Sequence, residues 1–171
     1  MLGILFALAY LKLGLSLAFM VLLVLFSVLF FIVLYDVRHT VVPTVASTLL
    51  IVLALVYVFL TSGGAVHVGQ TLVVAGGIGL AFFLLYFFSR GRAMGLGDSP
   101  VALALALMAG GPLALAGLLF SFWIGAVIGI GILVSTPKGH RMGIEVPFVP
   151  FLAAGYVLAY FTQWNPLLFT L

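Results

Sequence analysis

Residues 15–35 decide the fold: they read LSLAFMVLLVLFSVLFFIVLY and contain no charged side chain. A helix needs roughly 20 apolar residues to cross about 30 Å of hydrocarbon. This run of 21 residues has that length, and Asp36 follows it directly. The sequence therefore predicts a membrane-spanning helix that ends beside an acidic group.

The whole chain shares this apolar character. Of its 171 residues, 66% are hydrophobic and 5% are charged, whereas about 25% of the residues in a soluble domain are charged. A soluble fold of this size cannot bury so much apolar surface. The net charge of +3 comes from too few basic residues for a nucleic-acid surface. The chain has no cysteine, which excludes disulfides, thiolate metal sites and a cysteine nucleophile.

Polar and glycine-rich breaks divide the chain into apolar segments. These segments predict helices over residues 2–11, 15–35, 44–60, 68–88, 99–109, 113–134 and 147–161. Residues 101–108 alternate as a strand would, but an unpaired strand in lipid leaves its backbone groups unsatisfied, so we predict a helix there. The prediction is an all-α, polytopic transmembrane bundle of about six to seven helices, with a single integral-membrane domain over residues 1–171.

The basic residues gather on one predicted membrane face. Only Lys12 falls on the other face, whereas five basic residues share this one: Arg38, Arg90, Arg92, Lys138 and Arg141. By the positive-inside rule, the richer face is cytoplasmic. This topology requires the short segment 99–109, about 16 Å long as a helix, to reach the opposite side. We therefore expect a protein of the inner (cytoplasmic) membrane.

Acidic residues are rare in this chain, with two aspartates and one glutamate. Acidic groups close to hydrocarbon are candidates for function by default, and Asp36 and Asp98 both reach the basic face. Two carboxylates held together cannot both ionise cheaply, so they share a proton and act as base and acid on one water. Such a pair hydrolyses peptide bonds without a metal or cofactor. Glycines before Asp98, including Gly95 and Gly97, leave room for an extended substrate.

Structural explanations compete with this hypothesis. Asp98 suits the N-cap of the next helix, whose first turn tolerates Pro100, and Asp36 can simply mark a helix end. Glu145 suits the positive end of the last helix better than it suits catalysis. The three histidines lie in different loops without metal-ligand spacing, so we predict no metal site.

Small residues spaced four apart predict where helices approach closely. Gly125 and Gly129 form one such pair, and Ala75 and Gly79 form another. We assign these four positions to packing and not to chemistry.

Two segments around the aspartates resemble motifs of the type IV prepilin peptidases, a family of GxGD aspartic peptidases. Residues 35–43, YDVRHTVVP, are similar to the first motif of that family, in which a proline, here Pro43, stands seven positions after an aspartate. Residues 95–98, GLGD, resemble its G-x-G-D motif.

A third segment, residues 145–152 with the sequence EVPFVPFL, resembles the late proline–phenylalanine motif of the family through Pro147 and Pro150. The three motifs follow the family's order. The resemblance implies an aspartic endopeptidase that removes the short basic leader of prepilins and pseudopilins for type IV pili or type II secretion. It would cut on the cytoplasmic side, after a glycine and before the apolar stalk, with Asp36 and Asp98 as the catalytic pair.

The chain departs from the family pattern at three positions. Pro100 stands where a lysine usually follows the second aspartate, Val149 where a glycine is common, and Thr44 where an acidic or amide residue often follows the first motif. Many bacterial members also carry a cysteine-bearing N-terminal part that accompanies N-methylation. This sequence begins after that region, as either a peptidase-only form or a truncated one, and we expect no methyl transfer.

Other classes remain open at this stage. Proteases of the presenilin or signal-peptide-peptidase type also use Tyr-Asp and G-x-G-D motifs, although their Pro-Ala-Leu motif is absent here. A non-catalytic scaffold or small transporter would use the acids on a proton path, with acids near mid-membrane and on both faces. Pro100 would also suit an inactive peptidase. The expected partners are the lipid bilayer and the protein substrate, with no nucleic acid.

Overall fold

The structure is a computed structural model that describes residues 2–91, 94–135 and 147–166. Within those residues it contains helices and no strand, so the predicted all-α bundle is confirmed. In chain order the helices are α1 (Leu2–Leu13), α2 (Leu17–His39), α3 (Thr44–Thr61), α4 (Ala65–Ser89), α5 (Asp98–Ala109), α6 (Gly111–Ser135) and α7 (Val149–Thr162).

Four helices, α2, α3, α4 and α6, are long and apolar enough to cross a membrane. The other three have 12 to 14 residues, which is about 18–21 Å of helix and less than the hydrocarbon thickness. Large apolar side chains face outward on the long helices, for example Val45, Val73 and Val127, which are 83%, 75% and 72% exposed. Such a surface is stable against lipid and not against water, as in a helical membrane protein.

Helix α5 lies at the centre of the bundle. Nine of its 12 residues are buried, and it packs against α3, α4, α6 and α7. A helix enclosed in this way needs small and apolar side chains on every side instead of one apolar stripe. This explains why residues 101–108 alternate like a strand and yet form a helix.

Two hydrogen bonds link α5 and the turn that follows it to α4. The Ser99 hydroxyl donates to the carbonyl of Gly79 across 2.8 Å. At the other end, the N–H of Gly111 donates to the Thr71 hydroxyl across 3.3 Å. Helix α5 therefore runs antiparallel to α4, and α5 and α6 form a hairpin whose turn lies beside the first part of α4.

Helices α6 and α7 are in very close contact because each of them has a glycine at the place where the other helix packs against it. A Cβ at Gly117 would lie 2.5 Å from the Tyr156 ring, and a Cβ at Gly155 would collide with the backbone of Ser121. The Ser121 hydroxyl also donates to the carbonyl of Leu152 across 3.3 Å. These glycines allow the backbones to approach as small residues do in membrane helix pairs.

The residues predicted to mediate close packing fulfil that role in part. Gly125 lies against Phe151, with 3.4 Å to the ring from an added Cβ, and Ala75 is fully buried. Among the described residues, however, nothing lies within 4 Å of a Cβ added at Gly129, so its predicted packing role is wrong for this part of the chain. The predicted spacing of small residues identified one contact of α6 with α7, at Gly125, but it missed the closer contact at Gly117.

Candidate active site

Asp36 lies within the last turn of α2 and not beyond its end. The helix continues to His39 and closes at Thr40, whose backbone is left-handed with φ 52° and whose N–H donates to the Asp36 carbonyl at 2.7 Å. The Asp36 side chain is only 4% exposed. A residue that merely marked a helix end could face water, so the burial of this carboxyl requires another explanation.

Asp98 is the first residue of α5, and its side chain is 7% exposed. The N-cap position belongs to Gly97, and no side chain makes a cap hydrogen bond there. The alternative role of Asp98 as an N-cap is therefore wrong. Its backbone N–H donates to the Gly95 carbonyl across 3.2 Å, and the Gly95 N–H lies near its carboxyl, at the start of the same G-x-G-D segment.

The two aspartates line one cavity of about 1000 Å³. The cavity forms where α2 ends, where α3 and α5 begin, and where the chain enters α7. Its lining includes three hydroxyl-bearing residues, Thr40, Thr44 and Ser47, and three aromatic ones, Phe83, Phe122 and Phe148. The two buried carboxyls thus share a single pocket whose lining is both polar and apolar.

The other predicted motif residues divide into two groups. Gly95, Gly97 and Pro147 line the cavity with the aspartates. Pro43 and Pro150 are not among its lining residues and instead lie at helix starts. Pro43 is the N-cap residue of α3, and Pro150 is in the first turn of α7. Proline suits both positions because the first N–H groups of a helix have no helical partner.

The environment of Asp98 favours a protonated carboxyl. Burial raises its pKa from 3.8 to about 6, the negative charge of Asp36 adds to this effect, and the hydrogen bond from Gly95 opposes it. The Asp36 carboxyl accepts a hydrogen bond from the N–H of Val149. Its buried Oδ2 atom has no hydrogen-bond partner within the described residues. Two such carboxyls can hold one proton between them.

The site lies beside the middle of α4. Ser99 bonds to Gly79, and α4 continues ten residues further to Ser89, about 15 Å along its axis. Similarly, α6 continues well past the cavity residue Phe122 to Ser135. The placement of the pair at the membrane edge stays a prediction, and α4 and α6 both extend beyond the residues that line the site.

The aromatic lining of the cavity was not predicted from the sequence. The Phe148 ring is tilted against its neighbours, with its centroid 6.2 Å from that of Phe82 and 5.6 Å from that of Phe122. Phe148 falls within the late motif, which was a usable signal. Phe83 and Phe122 lie in uniformly apolar helices, where nothing in the sequence separates a cavity-lining side chain from a lipid-facing one.

The chain matches a known family over both aspartate segments. The pattern of the type IV leader peptidase family fits residues 23–130, close to two thirds of the sequence. The chain belongs to the type IV leader peptidase family. Membership implies a peptidase, and the matched region contains Asp36 and Asp98 but ends before the late motif. Searches of curated proteins and of solved structures find no match.

Several charged residues named in the sequence analysis lie outside the described residues: Arg92, Lys138, His140, Arg141 and Glu145. Of the described cations, Arg38 lies in the last turn of α2 and Arg90 is the C-cap of α4. Lys12, on α1, donates to the Tyr160 carbonyl of α7 at 2.6 Å. No cluster of three or more potential metal ligands occurs in the part of the chain that the structure describes.

Proposed function

We propose that this family member is an aspartic endopeptidase that removes the short basic leader of type IV prepilins and pseudopilins, with Asp36 and Asp98 as its catalytic pair. The observation that carries the proposal is the burial of both aspartates, from different helices, on one cavity. A buried, uncompensated carboxylate is costly, and neither helix needs the side chain for its own structure. Catalysis explains why both are present.

The two carboxyls take different roles in the proposed reaction. In this scheme Asp98, whose pKa is raised to about 6, holds the proton that the pair shares, and Asp36 acts as the base. Asp36 removes a proton from a water molecule, whose oxygen attacks the scissile carbonyl carbon. Asp98 donates its proton to the carbonyl oxygen. Asp36 then passes its proton to the amide nitrogen while Asp98 takes a proton from a hydroxyl of the tetrahedral intermediate, so the carbon–nitrogen bond breaks and the pair returns to its singly protonated state.

The mixed lining of the cavity suits a substrate that changes from polar to apolar at the cut. Thr40, Thr44 and Ser47 offer polar contacts for the leader, and Phe83 and Phe122 offer apolar contacts for the start of the stalk. A volume of about 1000 Å³ is at the upper end for ligand pockets, and it suits an extended peptide. We assign the site to the cytoplasmic side of the inner membrane, because Arg38 and Arg90 end α2 and α4 there.

The departure at Pro100 is compatible with activity. Pro100 is the third residue of α5 and lines the cavity. In the first turn of a helix, proline sacrifices no helical hydrogen bond, so it does not disturb the position of Asp98. The missing lysine changes the charge beside the pair but leaves both carboxyls in place.

The test is cleavage by the purified chain in lipid vesicles. The substrate is a synthetic peptide with a short basic leader, a glycine and an apolar helix, and mass spectrometry identifies the products. We expect one cut, after the glycine, and loss of cutting when that glycine is replaced by valine. Cuts inside the apolar helix of a leaderless peptide would instead indicate a protease of the signal-peptide-peptidase type. No cleavage of either peptide would indicate a non-catalytic membrane protein.

A further inference from the structure

Gly97 and Val42 are in unusually close contact beside the two aspartates. Gly97 directly precedes Asp98, and Val42 lies in the link that follows α2, the helix of Asp36. A Cβ added at Gly97 would stand 2.6 Å from the Val42 Cβ, 3.0 Å from its Cγ2 and 3.5 Å from its Cα. Carbon atoms in van der Waals contact are about 3.5–4.0 Å apart. No side chain fits at this position unless the two segments separate.

Position 97 requires a glycine because there is no room for a side chain, and not because of the backbone conformation. Its φ is −66° and its ψ is −21°, an ordinary right-handed conformation that any residue adopts. The other glycine of the motif differs. Among the described residues, an added Cβ at Gly95 would meet only the Asp98 Oδ2 atom, at 3.7 Å, an ordinary contact distance. The two glycines therefore have different physical roles.

Val42, which packs against Gly97, has a restricted backbone. Because it precedes Pro43, its backbone is restricted to extended conformations. Pro43 in turn is the N-cap residue of α3, and its carbonyl accepts the N–H of Ser47 at 3.0 Å. The Val42 side chain is thus anchored to the start of a long helix and cannot easily yield.

The segment that carries Asp98 is also held from the opposite side. The next residue, Ser99, donates its hydroxyl to the Gly79 carbonyl of α4 at 2.8 Å. One turn further, Leu103 lies against Gly79, 3.1 Å from an added Cβ. Asp98 is therefore located between a contact with the α2–α3 link and a contact with α4.

We propose that the contact between Gly97 and Val42 sets the separation of the Asp36 and Asp98 carboxyls, which makes both residues positioning residues for the pair. The inference rests on the proposed function because it concerns the geometry of a catalytic pair. A methyl group at position 97 pushes the segments apart by about 1 Å, the difference between 2.6 Å and a normal contact. Misplacement of this size can reduce turnover about 100-fold.

The activity test is a rescue experiment on cleavage of the prepilin-like peptide. Gly97→Ala should lower kcat roughly 10- to 100-fold and change KM by less than about 3-fold, because apolar binding is retained and alignment is lost. Val42→Gly removes the two clashing carbons and leaves only the Cα at 3.5 Å. The double variant should therefore recover the activity of Val42→Gly alone.

Gly95→Ala is the matched comparison, because it adds the same methyl group to the same motif without meeting Val42. Gly95→Ala can change kcat by itself, but its effect should be independent of Val42→Gly. The double variant should then show the product of the two single effects on kcat. Recovery that is specific to position 97 identifies the steric contact. A Gly97→Ala variant with full activity, or one that Val42→Gly does not rescue, would overturn the inference.

A second measurement reports the separation of positions 36 and 98 without requiring catalysis. The chain has no cysteine, so Asp36→Cys combined with Asp98→Cys introduces the only two thiols. A short bifunctional thiol reagent should cross-link them, more slowly with Gly97→Ala and at the original rate when Val42→Gly is added. An unchanged rate with Gly97→Ala would contradict the inference even in an active enzyme. If the parent chain cleaves no peptide, the proposed function fails, and this measurement still decides whether the contact sets the spacing.

Discussion

The hydroxyl of Ser99 donates to the backbone carbonyl of Gly79 across 2.8 Å and links the first turn of α5 to the middle of α4. Since Ser99 follows Asp98, this bond helps to hold the second carboxyl in place. We expect Ser99→Ala to lower kcat about 5-fold, as a lost hydrogen bond costs about 1 kcal/mol. Ser27→Ala is the control, because that hydroxyl bonds only to the Leu23 carbonyl of its own helix. Equal kcat values for the two variants would show that the Ser99 hydrogen bond does not help to align the Asp98 carboxyl.

The pH dependence of stability follows from the raised pKa of Asp98, about 6 in the folded protein against an ordinary value of 3.8. The folded state therefore binds this proton more tightly than the unfolded state does. The resulting stabilisation is complete below pH 3.8 and is lost as the pH rises through about 6. Its full size is on the order of 2–3 kcal/mol.

Thermal midpoints in detergent, measured between pH 4 and pH 8, test this expectation. The parent chain should become less stable as the pH rises to about 6 and then level off, and Asp98→Asn should remove that part of the slope. Turnover should likewise decline above about pH 6, as the general acid loses its proton. A profile that Asp98→Asn leaves unchanged would show that Asp98 titrates normally.

The close contact between α6 and α7 predicts which glycine substitutions destabilise the protein. Gly155→Ala should destabilise the protein by about 1–3 kcal/mol, the usual cost of overpacking, because the added methyl group meets the Ser121 backbone. Gly117→Ala should act similarly through the Tyr156 ring. Gly129→Ala, on the open face of the same helix, should have little effect or raise the thermal midpoint slightly. If Gly155→Ala has the same thermal midpoint as the parent, the two helices are farther apart than in this structure.

Membrane topology can be measured with single introduced cysteines, since the chain has none of its own. Ser62 follows α3, whereas Ser89 ends α4 and Ser135 ends α6. The excess of basic residues predicts that Ser89→Cys and Ser135→Cys react with an impermeant reagent from the cytoplasmic side and that Ser62→Cys reacts from the other side. Labelling of Ser62→Cys and Ser135→Cys from one side would contradict the proposed path of the chain.

The helices could be predicted well from the sequence, because long apolar runs leave few alternatives in a membrane. Their ends were less predictable. Helix α2 was expected to stop at Tyr35, since an aspartate follows, but it continues to His39. Its buried Asp36 is accommodated by the cavity, and basic residues in the last turn suit the negative end of the helix dipole. Helix α7 begins at Val149, two residues later than predicted.

The candidate site was predictable only where its chemistry is rare in the sequence. Asp36 and Asp98 stood out because a carboxylate beside an apolar run is uncommon. Phe83 and Phe122 did not, because an aromatic residue in an apolar helix gives no sign of its neighbours. The different roles of Gly95 and Gly97 depend on Val42, more than fifty residues away in the chain. A contact of that kind is a property of the folded bundle.

The central claim is that Asp36 and Asp98 act as one catalytic unit, and its most direct test is the rate of leader cleavage by Asp36→Asn, Asp98→Asn and the double variant. Each single variant should lose at least about 1000-fold in kcat while remaining folded, and the double variant should be no slower than the worse single one, because removing either half disables the unit. Near-parental cleavage by either single variant would contradict the account and assign that carboxyl a structural role.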